Sequence, residues 1–220
     1  MLGARQSGVK TELVINPNYW GSVKGNITKA VFTPIAQDAT RVAALISGNV
    51  HMAYPVPVQD WKRLDDAKGV KPLAGPEART IFLGFDQLRD ELLYSNIKGK
   101  NPFKDLRVRQ AFIKAINIDA IKKKVMRGAS VPAGLMVAPQ INGFNSALND
   151  RPSYDPKGAK KLLADAGYPD GFEVTMDCPN NRYVNDERIC QASAAMLAKI
   201  GIKVTLLAQP KSKYFGTVLA

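Results

Sequence analysis

The sequence is poor in the residues that most catalytic and metal sites require. Among 220 residues it has one histidine, His51, and only two cysteines, Cys178 and Cys190. A zinc site built from these residue types needs more ligands at closer spacing, and one histidine leaves little general-base chemistry near neutral pH. The sequence also lacks a nucleophile elbow and a phosphate-binding glycine loop. These absences predict a protein that is not an enzyme and that holds no metal or cofactor.

Long apolar runs are also missing. No stretch reaches the roughly 18 consecutive apolar residues that a membrane-spanning helix needs. The amino-terminal residues 1–7 lack the apolar segment of a signal peptide. Two interpretations follow from the residues alone: a cytoplasmic chain, or a piece of an exported protein whose signal lies elsewhere.

Acidic residues are scarce relative to basic ones, and the formal net charge is +12. The excess is concentrated between Lys98 and Arg127, where ten basic residues stand against Asp105 and Asp119. A solvated helix face explains such a cluster, and nucleic-acid binding is the alternative. Because no zinc-finger, glycine-loop or aromatic RNA-binding signature accompanies the charge, we expect a solvated face and no nucleic-acid partner.

Hydrophobic periodicity predicts alternating strands and helices. A strand at 30–33, a helix from Asp38 to a stop at Gly48, and a strand at 51–54 form a predicted βαβ unit. A short helix is predicted around Asp60 and a buried strand at 79–85. Further helices are predicted at 105–116, 119–128 and 155–167, with an irregular stretch at 130–149.

The last part of the chain gives the clearest pattern. A strand from Phe172, a loop at 178–185, a helix at 186–200 and a strand from Ile202 predict two parallel strands with a right-handed crossover. The predicted fold class is therefore α/β, with a largely parallel or mixed sheet flanked by helices. Because ligands of open α/β sheets bind beyond the carboxyl ends of the strands, the candidate loops are 54–58 and 178–185.

Five segments carry motifs that occur together, in this order, in one known family. They read NPNYWG at 16–21, DATRVAALISG at 38–48, DLRVRQA at 105–111 followed by AIN at 115–117, YDP at 154–156 with AGYPDGF at 166–172, and LAKIGIKV at 197–204. The set resembles the family 5 extracellular solute-binding proteins, which are dipeptide, oligopeptide and nickel receptors of ABC importers. The motifs extend over nearly the whole chain.

The resemblance implies a two-lobed receptor with the type II periplasmic-binding-protein fold, which holds its ligand between the lobes. It implies a periplasmic or extracellular protein, lipid-anchored or free, that delivers a peptide or peptide-like solute to ABC permease subunits. Family members are considerably longer, so we expect a fragment. Residues 1–24 would be a remnant of the first lobe and hinge, and residues 25–220 would form the second lobe.

The chain departs from the family pattern at two places. His51 stands where the family often has an acidic residue. The chain also ends at Ala220, before the aspartate-bearing segment that meets the ligand's amino terminus in peptide-binding members. We therefore expect only part of a binding site.

Arg182 is the first candidate for ligand binding. It lies in the predicted loop between a strand and a helix, where a guanidinium can bind a carboxylate through two parallel hydrogen bonds. The resemblance implies the same role, because dipeptide-binding members use an arginine from this loop for the ligand's terminal carboxylate. The alternative is a local ion pair with Asp186 or Glu187. Asn181 and Tyr183 share the loop and are further candidates.

Three aromatic residues, Tyr54, Trp61 and Tyr19, are candidates to line an apolar cleft, although core packing is the alternative for each. His51 is expected to be structural. Cys178 and Cys190 flank the loop of Arg182, and we expect a disulfide between them in an exported protein. Two buried thiols are the alternative.

The ligand is not fixed by these patterns, because one fold serves many ligands. Within the family, metal chelates, oligosaccharides and opines remain alternatives to peptides. Outside it, a basic nucleic-acid-binding module and a regulatory domain with a borrowed lobe are the competing interpretations.

Overall fold

The computed structural model describes residues 1–218, which form two compact units. The first unit comprises Met1–Val56 and Lys62–Lys71, and the second comprises Pro57–Trp61 and the described chain from Pro72 onwards. Within residues 1–218, no helix combines enough length and hydrophobicity to cross a membrane. The assignment of residues 1–24 and 25–220 to two lobes of a receptor stays a prediction.

The first unit contains a three-stranded antiparallel sheet. Its strands are β1 (Leu2–Gln6), β2 (Lys10–Val14) and β3 (Lys29–Phe32), in the order β1-β2-β3. Glu12 on β2 forms ion pairs with Lys10 and with Lys29 of β3. The hydrogen bond from Lys10, followed by that from Lys29, lowers the pKa of Glu12 to about 2. A short turn at residues 7–9 joins β1 to β2, as antiparallel neighbours allow, and the longer segment 15–28 joins β2 to β3.

The βαβ prediction for residues 30–54 is wrong. The strand β3 and the helix α1 (Asp38–Ile46) exist, but residues 51–54 form no strand and His51 is exposed. The reason lies in Arg41, whose buried guanidinium donates to the carbonyl oxygens of Ile35 and Pro55 at 2.8 and 2.9 Å. This side chain holds the segment after α1 as a loop.

The second unit is built on the strand–helix–strand passage that the sequence predicts. The strands β4 (Phe172–Pro179) and β5 (Ile202–Gln209) pair in parallel along their whole length, and α6 (Asp186–Ala198) connects them. The strand β4 extends two residues into the predicted loop. Gly201, at a φ of 90°, precedes β5, and an added Cβ would lie 2.7 Å from the carbonyl oxygen of Asp170.

Five further helices lie within residues 1–218, and amino-terminal caps explain where most of them begin. They are α2 (Trp61–Asp65), α3 (Leu106–Ala115), α4 (Ile118–Ala120, continued by a π-helix at Ile121–Val125), α5 (Pro156–Asp165) and α7 (Lys211–Val218). The side chains of Asp105 and Asp155 cap α3 and α5, which are the helices predicted to begin at these two residues. The predicted start at Asp119 is wrong, because Asn117 accepts the capping hydrogen bond from Ala120. Short 3₁₀ turns occur at Val58–Asp60, Pro102–Lys104 and Ser146–Leu148.

The buried strand predicted at 79–85 does not form. Ile81 and Phe82 are exposed, and among the described residues no strand pairs with this segment. The edge of β4 is occupied instead by residues 94–96, where the amide of Thr175 donates to the carbonyl of Tyr94 at 2.9 Å. An apolar run forms a strand only where a partner offers hydrogen bonds.

The core of the second unit is a cluster of aromatic rings between α3, α5 and β4. The ring of Phe112 on α3 lies 5.3 Å from Phe103, 5.4 Å from Phe85 and 6.4 Å from Phe172, between ring centroids. Aliphatic side chains surround the rings; those that are nearly inaccessible include Val108, Leu163, Leu197, Ile200 and Ile202. The cluster packs α3 and the sheet into one body.

A disulfide joins Cys178 at the end of β4 to Cys190 on α6. The two Cα atoms are 6.5 Å apart, within the range of roughly 4.4–6.8 Å that a disulfide spans. The bond encloses the connection between β4 and α6, which carries Arg182.

We expect Phe112→Ala to lower the free energy of unfolding by about 3–5 kcal/mol, because it removes a buried ring from a close-packed cluster. Urea denaturation followed by circular dichroism measures the change. The matched control is Leu106→Ala on the same helix, where the side chain is 56% exposed and the change should stay within about 0.5 kcal/mol. Equal losses in the two variants would contradict the central place of this cluster.

Replacing both cysteines by serine should lower the free energy of unfolding by about 3 kcal/mol, because the disulfide closes a short loop across a separation of 12 residues. Thiol titration of denatured protein exported to an oxidising compartment should find no free thiol before reduction. Two free thiols in that material would show that the bond does not form. The double substitution avoids the unpaired thiol that a single one would leave.

Candidate functional site

The connection between β4 and α6 lies at the carboxyl edge of the parallel strand pair, where open α/β sheets bind ligands. The connection after β5 meets it there. The amide of Asn180 donates to the carbonyl of Gln209 at 3.1 Å, and the amide of Lys211 donates to Oδ1 of Asn181 at 2.8 Å. We call residues 180–185 the site loop.

The site loop is held by Asp186, the first residue of α6. Asp186 is 5% exposed, and its Oδ2 accepts hydrogen bonds from the backbone amides of Arg182 at 2.8 Å and Tyr183 at 3.0 Å. Its Oδ1 accepts from the amide of Glu187 at 2.9 Å. A carboxylate at this position also interacts favourably with the helix dipole. Two hydrogen bonds from the loop backbone to one buried carboxylate therefore fix the loop conformation, and the third holds that carboxylate at the start of α6.

The guanidinium of Arg182 remains available. It lies 4.9 Å from the ring centroid of Tyr183, a cation–π contact, and within residues 1–218 it forms no ion pair. The alternative of an ion pair with Asp186 or Glu187 is not what the structure contains. Asp186 is engaged with backbone amides, and Glu187 accepts from Gln191 at 3.1 Å. Arg182 thus offers its full set of donors to an anion.

The end of the site loop is tied to two other segments through Asn185. Its Oδ1 accepts from Nε2 of Gln59 at 2.9 Å, and its Nδ2 donates to the carbonyl of Val125 at 2.9 Å. Asn185 has a φ of 57°, in the left-handed region. Both side-chain groups of one asparagine thus connect the loop to the turn at Val58–Asp60 and to the end of the π-helix after α4.

Polar side chains also lie near the carboxyl ends of β4 and β5. Nε2 of Gln209 lies 3.4 Å from Oδ1 of Asp177, and Oε1 of Gln209 is buried without a hydrogen-bond partner among the described residues. Burial raises the pKa of Tyr214, with smaller contributions from Tyr183 and Asp177. Tyr214 thus lies near Asp177 and near Tyr183 of the site loop.

The candidate residues from the sequence divide between the two units. Arg182, Tyr183 and Asn181 come together in the site loop, and Asn181 uses its side-chain oxygen to accept from Lys211. Trp61, also in the second unit, is half-buried. Tyr54 and Tyr19 belong to the first unit and are 70% and 45% exposed. Ligand roles for all of these residues stay predictions.

The second unit also has a cavity of about 240 Å³ away from the site loop. It is lined by residues of the start of α4 and of the irregular segment before α5, including Asn117, Asp119, Arg151 and Tyr154. Among the described residues, no group of three or more His, Cys, Asp and Glu side chains is arranged to hold a metal ion.

Sequence reasoning missed the anchoring roles of Asp186 and Asn185. An acidic residue on the first turn of a helix is a signal for backbone capping. In the sequence alone, Asp186 is equally suited to an ion pair with Arg182, because the two residues are only four positions apart. No signal in the sequence pairs Asn185 with Gln59, which lies 126 positions away.

Comparisons with known proteins match the sequence and fold of this chain to one family. The family profile described as bacterial extracellular solute-binding proteins, family 5 Middle, matches residues 1–218. The glutathione-binding protein GsiB of Escherichia coli K12 is 30% identical over 190 residues, which are 86% of this chain and 34% of that protein. The chain thus spans about a third of the length of the curated relatives that it matches.

Two solved structures are similar in fold and sequence. The periplasmic binding protein DppA from Helicobacter pylori, in complex with the peptide STSA, has a TM-score of 0.73 and 26% identity, covering 97% of this chain and 39% of that one. The binding protein AgaA from A. tumefaciens R10, in complex with agropinic acid, has a TM-score of 0.72 and 26% identity, covering 98% and 42%. With a family match over nearly its full length, the chain belongs to the bacterial extracellular solute-binding proteins, family 5.

Proposed function

We propose that this chain contributes the carboxylate-binding surface of a receptor that captures peptides or peptide-like solutes for an ABC importer. The observation that carries the proposal is the guanidinium of Arg182, which has no ion-pair partner within the described chain and lies at the carboxyl edge of β4. A planar guanidinium held in this way suits the two oxygens of a ligand carboxylate. Tyr183 supports the guanidinium on its ring face.

The fixed loop favours binding for an energetic reason. Since Asp186 orders the backbone of Arg182 and Tyr183 before a ligand arrives, less conformational entropy is lost on binding. The disulfide between Cys178 and Cys190 restricts the same connection. Both features support a site that is largely preformed.

The remaining parts of the proposal follow from the family. We infer that the chain is not an enzyme, that its protein works outside the cytoplasmic membrane, and that it passes its solute to permease subunits. Relatives are named as binding glutathione, a peptide or agropinic acid. The complex of AgaA with agropinic acid keeps an opine as the second candidate ligand class. An uncharged oligosaccharide is disfavoured as the ligand, because it would leave the guanidinium of Arg182 without an anionic partner.

Arg182→Ala should weaken binding of the physiological ligand by about 2–5 kcal/mol, because it removes a charged partner from a desolvated site. The ligand is identified by mass spectrometry of small molecules that copurify with the protein as its gene encodes it, and affinity is measured by calorimetry. Arg182→Lys should recover only part of the loss, since an ammonium lacks the planar geometry. Arg188→Ala on the exposed face of α6 is the control. Unchanged affinity in Arg182→Ala would refute the proposed role.

Asp186→Asn should weaken ligand binding through Arg182. The amide cannot accept all three backbone hydrogen bonds, so the loop should lose order and the protein about 1–3 kcal/mol of stability. A double-mutant cycle tests the positioning role: in the Arg182→Ala background, Asp186→Asn should cost little further affinity. Additive losses of affinity would mean that Asp186 acts independently of Arg182.

A further inference from the structure

The structure sorts the basic residues between positions 98 and 127 into two groups. Six of the ten have partners. Four of these, Lys98, Lys104, Arg107 and Lys114, form ion pairs with Glu91, Asp90, Asp105 and Asp155. Lys100 lies over the ring of Tyr168, and Arg109 donates to the backbone carbonyls of Phe103 and Lys104. These six explain most of the cluster as ordinary surface pairing.

The other four cations, Lys122, Lys123, Lys124 and Arg127, have no ion pair within the part of the chain that the structure describes. They fall within six consecutive positions, and all except the half-buried Lys122 are exposed. We call this set the basic turn. A cluster of one sign can be an ordinary solvated surface, and it can also steer ligands of the opposite charge when it lies beside a binding site.

The basic turn is joined to the site loop. Val125, inside the turn, accepts the hydrogen bond of Asn185 at 2.9 Å, and Asn185 follows Arg182 by three positions. The free guanidinium of Arg182 and the unpaired cations therefore belong to two connected segments of the second unit. The nearby carboxylate of Asp186 does not offset them through an ion pair, because backbone amides occupy it.

Backbone conformation marks the same junction. Among the described residues, the two with a positive φ that are not glycine are Arg127, at 52°, and Asn185, at 57°. The turn also contains the π-helix Ile121–Val125. Left-handed non-glycine residues and π-helical turns are both unfavourable and concentrate at functional sites. The basic turn is thus an unusual structure as well as an unusual charge distribution.

We propose that the basic turn and Arg182 together make the receptor selective for anionic ligands. The preferred solute carries at least one carboxylate beyond the one that Arg182 binds, as in a peptide with an acidic side chain. The proposal rests on the proposed function and specifies its ligand class. Cations beside a binding site raise the local concentration of anions and accelerate their association, by about tenfold or more at low ionic strength. The effect is strongest where the distance is shorter than the Debye length, about 10 Å at 0.1 M salt.

The test uses a pair of charge-reversal variants with the same change in net charge. In the first, Lys123→Glu and Lys124→Glu alter the basic turn. In the control, Lys160→Glu on α5 and Lys199→Glu at the carboxyl end of α6 alter exposed lysines without ion pairs among the described residues. Lys199 lies at the opposite end of α6 from Asn185, about 20 Å along a helix of this length.

The protein as its gene encodes it is incubated with an equimolar pool of short acidic, neutral and basic peptides, together with mono-, di- and tricarboxylates that are not peptides. Mass spectrometry quantifies what is retained, and stopped-flow fluorescence gives association rates at low and high salt. We expect acidic members to be retained over neutral ones and to associate about tenfold faster at low salt. This advantage should fall to about twofold or less in the basic-turn variant and persist in the control.

The outcomes separate the two proposals. Retention of peptides without a preference for acidic members, or a preference unchanged in the basic-turn variant, overturns the selectivity and leaves the receptor function in place. Retention of non-peptide anions alone, lost in that variant, supports the selectivity and overturns the peptide class. Retention of nothing overturns both. If the variant loses only binding to anionic lipid vesicles or to DNA, the turn serves a different polyanion and the selectivity is refuted.

Discussion

The parallel pairing of β4 and β5 is the constraint on which the candidate site depends. Two parallel neighbours cannot be joined by a tight turn, so the chain must cross over through a helix and return. That requirement places the start of α6 and the end of β5 at one edge of the sheet. The site loop, the disulfide from Cys178 and the contact between Asn181 and Lys211 all follow from this return. The aromatic cluster around Phe112 supports the pair from one face.

Asp186 is used differently from the other capping carboxylates of the second unit. Asp105, Asp155 and Asp186 direct their oxygens at backbone amides near helix starts. Asp105 and Asp155 also form ion pairs with Arg107 and Lys114. Asp186 forms none among residues 1–218, because its oxygens accept from backbone amides, and it therefore leaves Arg182 unpaired. Arg182 and the basic turn are among the cations that have no ion pair within residues 1–218. A basic composition thereby becomes a localised positive surface beside a rigid loop, which suits an anion better than a uniform surface charge would.

The sequence predicts elements well where the determining contacts are local. The caps at Asp105 and Asp155, the glycines that end helices, and the alternation along β4 and β5 act over a few residues. The two strand predictions that fail, 51–54 and 79–85, concern apolar segments that pair with no strand among residues 1–218. Arg41 holds the first as a loop, and residues 94–96 occupy the edge of β4 instead of the second. A segment becomes a strand only when a neighbouring segment forms backbone hydrogen bonds with it. Its own residues do not specify which segment that will be.

The sequence by itself determined the α/β class, the family, the crossover at 172–209 and the loop that carries Arg182. Each of these rests on periodicity or on motifs whose residues are close in the chain. The tertiary structure decided that Arg182 has no ion pair among the described residues and that Asp186 anchors the loop instead of pairing with Arg182. It also decided which of the basic residues find partners. These outcomes depend on distances between side chains far apart in sequence, and both hydrogen bonds and ion pairs weaken steeply beyond a few ångströms.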